Sequence, residues 1–378
     1  MALVIHIGAP KTASTSIQQL AETIKTNLSH SNIFYAGPPT IRTLPSWSEW
    51  WLSYYADDAS PSRYDQACAS LALELKERCN SFDHIILSEE TFLHALMPLS
   101  DLAARSSWRS MYRKTGRLVN ILSEQLNRVP MTTLSLRRQD RFLLSSWLHS
   151  IHRHGKSWGL KDYYYSEVHG HIESLSWCSL IDALKSTSGA PLIISTMEGD
   201  LLKRDILCYM QACYAPSSSG IPLTIDMITN SCLERRNNGD PACADNTIST
   251  TLAASVPMRY SNPSPNSHSL ELIKKLNRYL DINGLRFDER INDIIVASQA
   301  KLGEKPRPPF YEELSCITQN LFAKENRELS NSFLSIKEPD FYWASPSKQE
   351  HNKDCEKKDE TKLLASIRDR LIKLRQSP

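Results

Sequence analysis

Short apolar runs recur along this chain at wide intervals, and stretches of helical period fill the gaps between them. Leu3-Val4-Ile5-His6-Ile7, His84-Ile85-Ile86-Leu87, Met131–Leu136 and Pro191–Ser195 have the length and content of strands buried on both faces, with Ile33–Tyr35 a shorter candidate. Around them, Thr15–Asn27, Arg63–Arg78, Leu99–Arg128, Gln139–His152, Ile172–Lys185 and Glu198–Ala212 read as helices. Strands that alternate with helices of this length predict an α/β fold, a mainly parallel sheet flanked by helices on right-handed crossovers. In such sheets ligands sit beyond the carboxyl ends of the strands.

The remainder of the chain reads differently. Residues 214–266 are rich in Pro, Ser and Asn with weak periodicity, as in a surface insertion. Helical patterns return over Leu270–Leu280, Arg286–Leu302 and Phe310–Phe333. After Pro346 the composition turns charged and mixed in sign, with a stripe of Leu363, Ile367, Leu371 and Leu374 on a terminal helix. The expectation is one α/β domain over 1–345, carrying the 214–266 insertion and a helical C-terminal extension, and a charged tail over 346–378. The tail's stripe is suited to docking on the body or on a second copy of the chain.

Composition narrows the function classes. The 378 residues carry a net charge of +2, so no global field draws the protein to nucleic acid or an anionic membrane. An anionic ligand must be met by a local site. The nine cysteines are scattered, without a CxxC pair or His/Cys spacing for zinc, which fits free thiols in a reducing, cytoplasmic compartment and no metal. The apolar opening Ala2–Ile7 is too short for a signal segment or a membrane span, and no later run is long enough to cross a bilayer.

Chemistry concentrates where three strands end. The first runs into Gly8-Ala9-Pro10-Lys11-Thr12-Ala13-Ser14-Thr15-Ser16. A loop of small and hydroxylated residues, opening a helix and holding one lysine, offers backbone N–H groups, hydroxyls and a full positive charge to a phosphate. The spacing G-x-x-x-x-G-K-[ST] of the common P-loop is absent. The Met131–Leu136 run ends in Arg137-Arg138-Gln139-Asp140, and the next helix carries Ser145 and Ser146. A guanidinium gives a permanently charged, bidentate grip on phosphate. Arg137 pairs with Ser145 at the same spacing as Arg138 with Ser146, so the register is open by one; Arg137 with Ser145 is preferred. The His84–Leu87 run ends in Ser88-Glu89-Glu90, where either carboxylate is placed to accept a proton or to cap the helix that follows.

The run His6–Gln18 resembles the 5′-phosphosulfate loop of sulfotransferases that use 3′-phosphoadenosine 5′-phosphosulfate (PAPS), P-K-[ST]-G-[ST]-T. The resemblance puts Lys11 on the lysine that contacts the 5′-phosphate and the bridging oxygen, and Thr12, Ser14, Thr15 and Ser16 on the surrounding donors. Ala13 departs from the family's glycine. Arg137 and Ser145 match the pair that binds the 3′-phosphate. Glu90, or Glu89 beside it, matches the base of carbohydrate sulfotransferases, with His149, His152 and His154 as rivals. The implied activity is sulfuryl transfer from PAPS to a hydroxyl or amine, with a saccharide or glycolipid as acceptor, 3′-phosphoadenosine 5′-phosphate (PAP) as product, and no metal. Two other readings stay open, a small-molecule kinase of the P-loop type and a non-catalytic interaction protein on a sulfotransferase scaffold. The aromatics Trp47, Trp50, Trp51, Tyr54, Tyr55, Trp158, Tyr163, Tyr164 and Tyr165 are candidates either for an acceptor cleft or for core packing.

Overall fold

The computed structural model describes residues 2–8, 18–19, 21–22, 25–30, 32–56, 61–96, 108–196, 265–299 and 306–333. Five parallel strands form one sheet: β1 (Ala2–Gly8), β2 (Ile33–Ala36), β3 (His84–Ser88), β4 (Val129–Leu136) and β5 (Leu192–Thr196), in the order β2-β3-β1-β4-β5. β1 lies at the centre and is buried along its whole length, which is why its sequence is apolar on both alternations. All five sequence runs are strands, and β4 extends two residues further back, to Val129.

The connections are helical, as the spacing of apolar residues requires. They include α1 (Lys25–His30), α2 (Pro38–Ile41), α3 (Trp47–Tyr55), α4 (Pro61–Cys79), α5 (Trp108–Leu126), α6 (Gln139–His154), α7 (Leu160–Tyr163) and α8 (Trp177–Ser188). Gln18, Gln19, Ala21 and Glu22 are also helical. α4 turns Tyr64, Ala67, Cys68, Leu71, Ala72 and Leu75 inward, a stripe at intervals of three and four. α5 packs on α4 and on α8. The helix expected over Ile172–Lys185 begins at Trp177, because residues 164–175 wind as a π turn and a 3-10 turn first. Ser176 then caps α8, accepting from the Ser179 N–H, and Gly189 ends it at φ 60°, a left-handed conformation favourable to glycine.

Later in the chain come α9 (Ser267–Ile282), α10 (Glu289–Gln299) and α11 (Tyr311–Phe333), over the three segments that read as helical. The chain divides into two compact units. The larger holds residues 1–148, 158–264 and 307–342, and so the sheet and α11; the smaller holds 149–157, 265–306 and 343–378. In the smaller unit, Asn277 Nδ2 donates to the carbonyls of Ile151 (2.8 Å) and Lys156 (2.9 Å), and Asn292 Nδ2 to that of His152 (2.9 Å). These amides bond to carbonyls in the last turn of α6 and just beyond it, where a helix leaves its final carbonyls without partners of its own. Most of the 214–266 segment and all of the 346–378 tail lie outside the described residues, as does the helix expected over Glu198–Ala212. Among the described residues no helix is long and apolar enough to cross a membrane.

Candidate functional site

The strand order creates one switch point. From β1 the chain goes to β2 on one side; from β4 it goes to β5 on the other. β1 and β4 are neighbours, paired from Ala2↔Val129 to Gly8↔Ser135. Their carboxyl ends therefore emerge side by side, about 4.8 Å apart between strand axes. β3 flanks β1 on its other edge, with His6 level with Ser88. Gly8, Ser88 and Leu136 end three adjacent strands at one edge of the sheet, and every motif noted in the sequence follows one of them.

Lys11, Thr12, Ala13, Ser14, Thr15 and Ser16, expected to cradle a phosphate, lie outside the described residues. The residues that flank them are both held at the carboxyl edge. Gly8 is the last residue of β1. Gln18 is buried; its amide donates to the Ser88 carbonyl (3.3 Å), and its own carbonyl accepts from the Tyr35 hydroxyl (3.4 Å).

At the β3 end the two glutamates differ sharply. Glu89 is fully buried. Its Oε1 accepts from Arg42 Nη2 (2.7 Å), Thr91 Oγ1 (2.7 Å) and the Thr91 N–H (3.0 Å), and its Oε2 from Arg42 Nε (2.9 Å). Both carboxylate oxygens of Glu89 are thus occupied by internal donors, and the paired bonds from Arg42 form a bidentate grip. Burial opposes the charge on Arg42, but the hydrogen bonds and charge of Glu89, with the charge of Glu90, outweigh it and raise the guanidinium's pKa. Glu90 is half-buried and opens the 3-10 turn Glu90–Leu96. Arg42 and Thr91 carried no signal in the sequence; an isolated arginine after a proline-rich stretch has no period or motif to mark it.

Beneath this edge, His6 Nδ1 and Ser88 Oγ are 2.7 Å apart, both buried. Burial lowers the His6 pKa from 6.5 to about 4, so the ring is neutral at physiological pH. That agrees with its place in a run read as a strand buried on both faces.

At the β4 end the two candidate registers are physically distinct. Arg138 is buried and bonds to Asp140 through Nε (2.6 Å) and Nη2 (2.8 Å). Asp140 also accepts from Ser315 Oγ (3.0 Å) and Tyr311 Oη (3.2 Å). Burial works to raise the Asp140 pKa, and the bonds and charge of Arg138 overcome it, so the carboxyl is held below its ordinary range. Arg137 is half-buried, and its carbonyl accepts from the Trp177 indole (3.0 Å). Nearly two turns into α6, Ser145 is half-buried and Ser146 buried. The Arg138/Ser146 pair thus faces the interior, while Arg137 and Ser145 keep partial exposure.

No protein-family model, curated protein or solved structure matches this chain.

The remaining candidates fall elsewhere. His149, His152 and His154 belong to the smaller unit, where His152 Nε2 lies 3.0 Å from Asp293 Oδ1 and the rings of His149 and His154 meet edge to face. Trp50 and Tyr54 are core residues whose rings meet each other, and Trp50 meets Phe92 edge to face, whereas Trp47 and Trp51 are half-buried on the same helix. Among the described residues no cluster of His, Cys, Asp or Glu is arranged to hold a metal ion.

Proposed function

We propose that the protein is a PAPS-dependent sulfotransferase on a P-loop-like α/β scaffold, with its nucleotide bound at the switch point between β1 and β4. The observation that carries this reading is the β1–β4 pairing. Lys11 follows three residues after Gly8, and Arg137 two residues after Ser135, and these two reference residues are level on adjacent parallel strands. A nucleotide with charge at both its 3′ and 5′ positions needs two cationic grips on one edge of the protein, and this pairing supplies two chain segments with the right residues.

In this reading Lys11 and the hydroxyls of Thr12, Ser14, Thr15 and Ser16 hold the 5′-phosphosulfate. Lys11 follows the bridging oxygen as it gains charge, an interaction stronger in the transition state than in the ground state. Arg137, with Ser145, holds the 3′-phosphate and so fixes the donor's register. Glu90 takes the proton from the acceptor as it attacks sulfur, because Glu89 is committed to Arg42 and Thr91. The S–O bond to the leaving phosphate breaks as the acceptor's O–S or N–S bond forms, and PAP departs. A saccharide-type acceptor in a cytoplasmic setting completes the proposal.

Calorimetry with PAP tests it. The native protein should bind PAP, and Lys11→Ala and Arg137→Ala should each weaken binding by roughly tenfold or more, the scale of a lost charge-assisted contact. Absence of PAP binding by the native protein, or tighter binding of magnesium-ATP, overturns the reading.

A further inference from the structure

Of the three residues that follow Arg137, Gln139 and Asp140 are fastened to a single helix more than 170 positions further along the chain, and Arg138 is tied to it through Asp140. Gln139 and Asn326 exchange amide hydrogen bonds in both directions, 2.9 and 3.0 Å, with both side chains buried. Asp140 accepts from Tyr311 and Ser315, and Arg138 closes on Asp140. The same helix reaches α8 as well: Ser176 Oγ donates to Glu325 Oε1 (2.9 Å), and Cys178 Sγ lies 3.7 Å from the Glu325 carbonyl. α8 in turn supplies Trp177, whose indole donates to the Arg137 carbonyl. Residue 137 is thus bracketed, from its own carbonyl through residue 140, by groups that belong to α11 or are tied to it.

A buried polar network of this kind is costly to leave half made and rigid when complete. Its members bond to one another in the interior: Arg138 and Asp140 are almost fully buried, as are Ser315 and Asn326. None of these groups is needed to hold a strand in the sheet, since β4 ends at Leu136. What the network does fix is the direction in which the backbone leaves β4, and with it the root of the Arg137 side chain.

We propose that α11 is the positioning element of the anion grip: Asn326, Ser315 and Tyr311 act through Gln139 and Asp140 to aim Arg137 at the edge of the sheet. The identity of the anion as a 3′-phosphate rests on the sulfotransferase reading. Tyr311, Ser315 and Asn326 touch no substrate in this arrangement; they act through the residues beside Arg137.

The test separates aim from mere stability by comparing two nucleotides. PAP and AMP share the adenosine and the 5′-phosphate, and only PAP carries the 3′-phosphate. Calorimetry with each is run on the native protein, on Asn326→Ala, and on the milder Ser315→Ala, with thermal melting alongside. The expected result is a loss of PAP affinity of roughly tenfold in Asn326→Ala, and a smaller loss in Ser315→Ala, with AMP affinity unchanged. PAP and AMP affinities that fall together, or that both stay constant in folded variants, overturn the proposal and reduce α11 to a structural prop. Native protein that binds PAP no tighter than AMP also overturns it, because there would be no 3′-phosphate grip to aim. Native protein that binds neither nucleotide is a separate outcome: it refutes the sulfotransferase reading, and the identity of the anion with it.

Discussion

Two adjacent glutamates at the end of β3 have different chemistry because of what surrounds them. Glu89 sits in a cage of donors from Arg42 and Thr91, and Glu90 keeps partial access to solvent. Glu89→Gln replaces one acceptor oxygen by an NH2 group that faces Arg42 or Thr91. It should lower stability by about 1–3 kcal/mol, the worth of hydrogen bonds to a buried charge, read from denaturant unfolding. Glu90→Gln should change stability by less than about 0.5 kcal/mol. It should keep PAP binding while abolishing transfer from labelled PAPS to a panel of saccharides; full transfer by this variant would remove Glu90 from the mechanism. His6 gives a second prediction at this scale. Its folded pKa of about 4 lies below the unfolded 6.5, so the unfolded chain binds the extra proton between those values. Its contribution is intact above pH 6.5 and is lost as pH falls towards 4. Between pH 7 and pH 5 this histidine should cost about 2 kcal/mol of stability. His6→Gln should flatten that part of the pH–stability curve; an unchanged slope would show that the ring is not buried neutral.

At the scale of elements, close contact between helices is as demanding as strand pairing. α5 crosses α8 at Gly116, where an added Cβ would fall 1.8 Å from Thr187 Oγ1 and 3.3 Å from the Leu184 carbonyl. Alanine is the better helix former by about 1 kcal/mol, and by propensity alone Gly116→Ala would stabilise the protein. The clash decides otherwise, since overpacking costs about 1–3 kcal/mol. Gly116→Ala should therefore lower the melting temperature, and a rise would mean that α5 and α8 are further apart. The same contrast runs through the sheet. β1 reads as a doubly buried strand from its composition alone, and is one. α8 does not begin where its pattern begins, because Ser176 provides the cap and residues 164–175 take tighter and wider turns that the spacing of apolar residues does not encode.

At the scale of the molecule, the strand order β2-β3-β1-β4-β5 puts the opening strand at the centre and brings together chain ends that are far apart in sequence. Glu89 and Arg42, 47 positions apart, become a bidentate pair; Gln139 and Asn326, 187 apart, become a reciprocal one. In neither pair does the neighbourhood of Arg42 or Asn326 name the partner that it finds. The choice between Arg137 and Arg138 likewise had no answer in their spacing, which is equal for both registers. What the structure adds is that Asp140 holds Arg138 in a buried ion pair, while Arg137 keeps partial exposure.

The strands, the class of the fold and the concentration of chemistry at three strand ends were legible in the chain itself, because burial on two faces demands apolar runs and helical connections demand their own period. Which strands become neighbours, which of two glutamates and two arginines are consumed by internal partners, and which distant helix steadies the end of β4 were settled only by the tertiary structure. Apart from the local Arg138–Asp140 pair, those outcomes depend on contacts between residues far apart in the chain, 47 positions for Arg42–Glu89 and 187 for Gln139–Asn326, and the free energy of such contacts exists only once the chain has closed the loops between them.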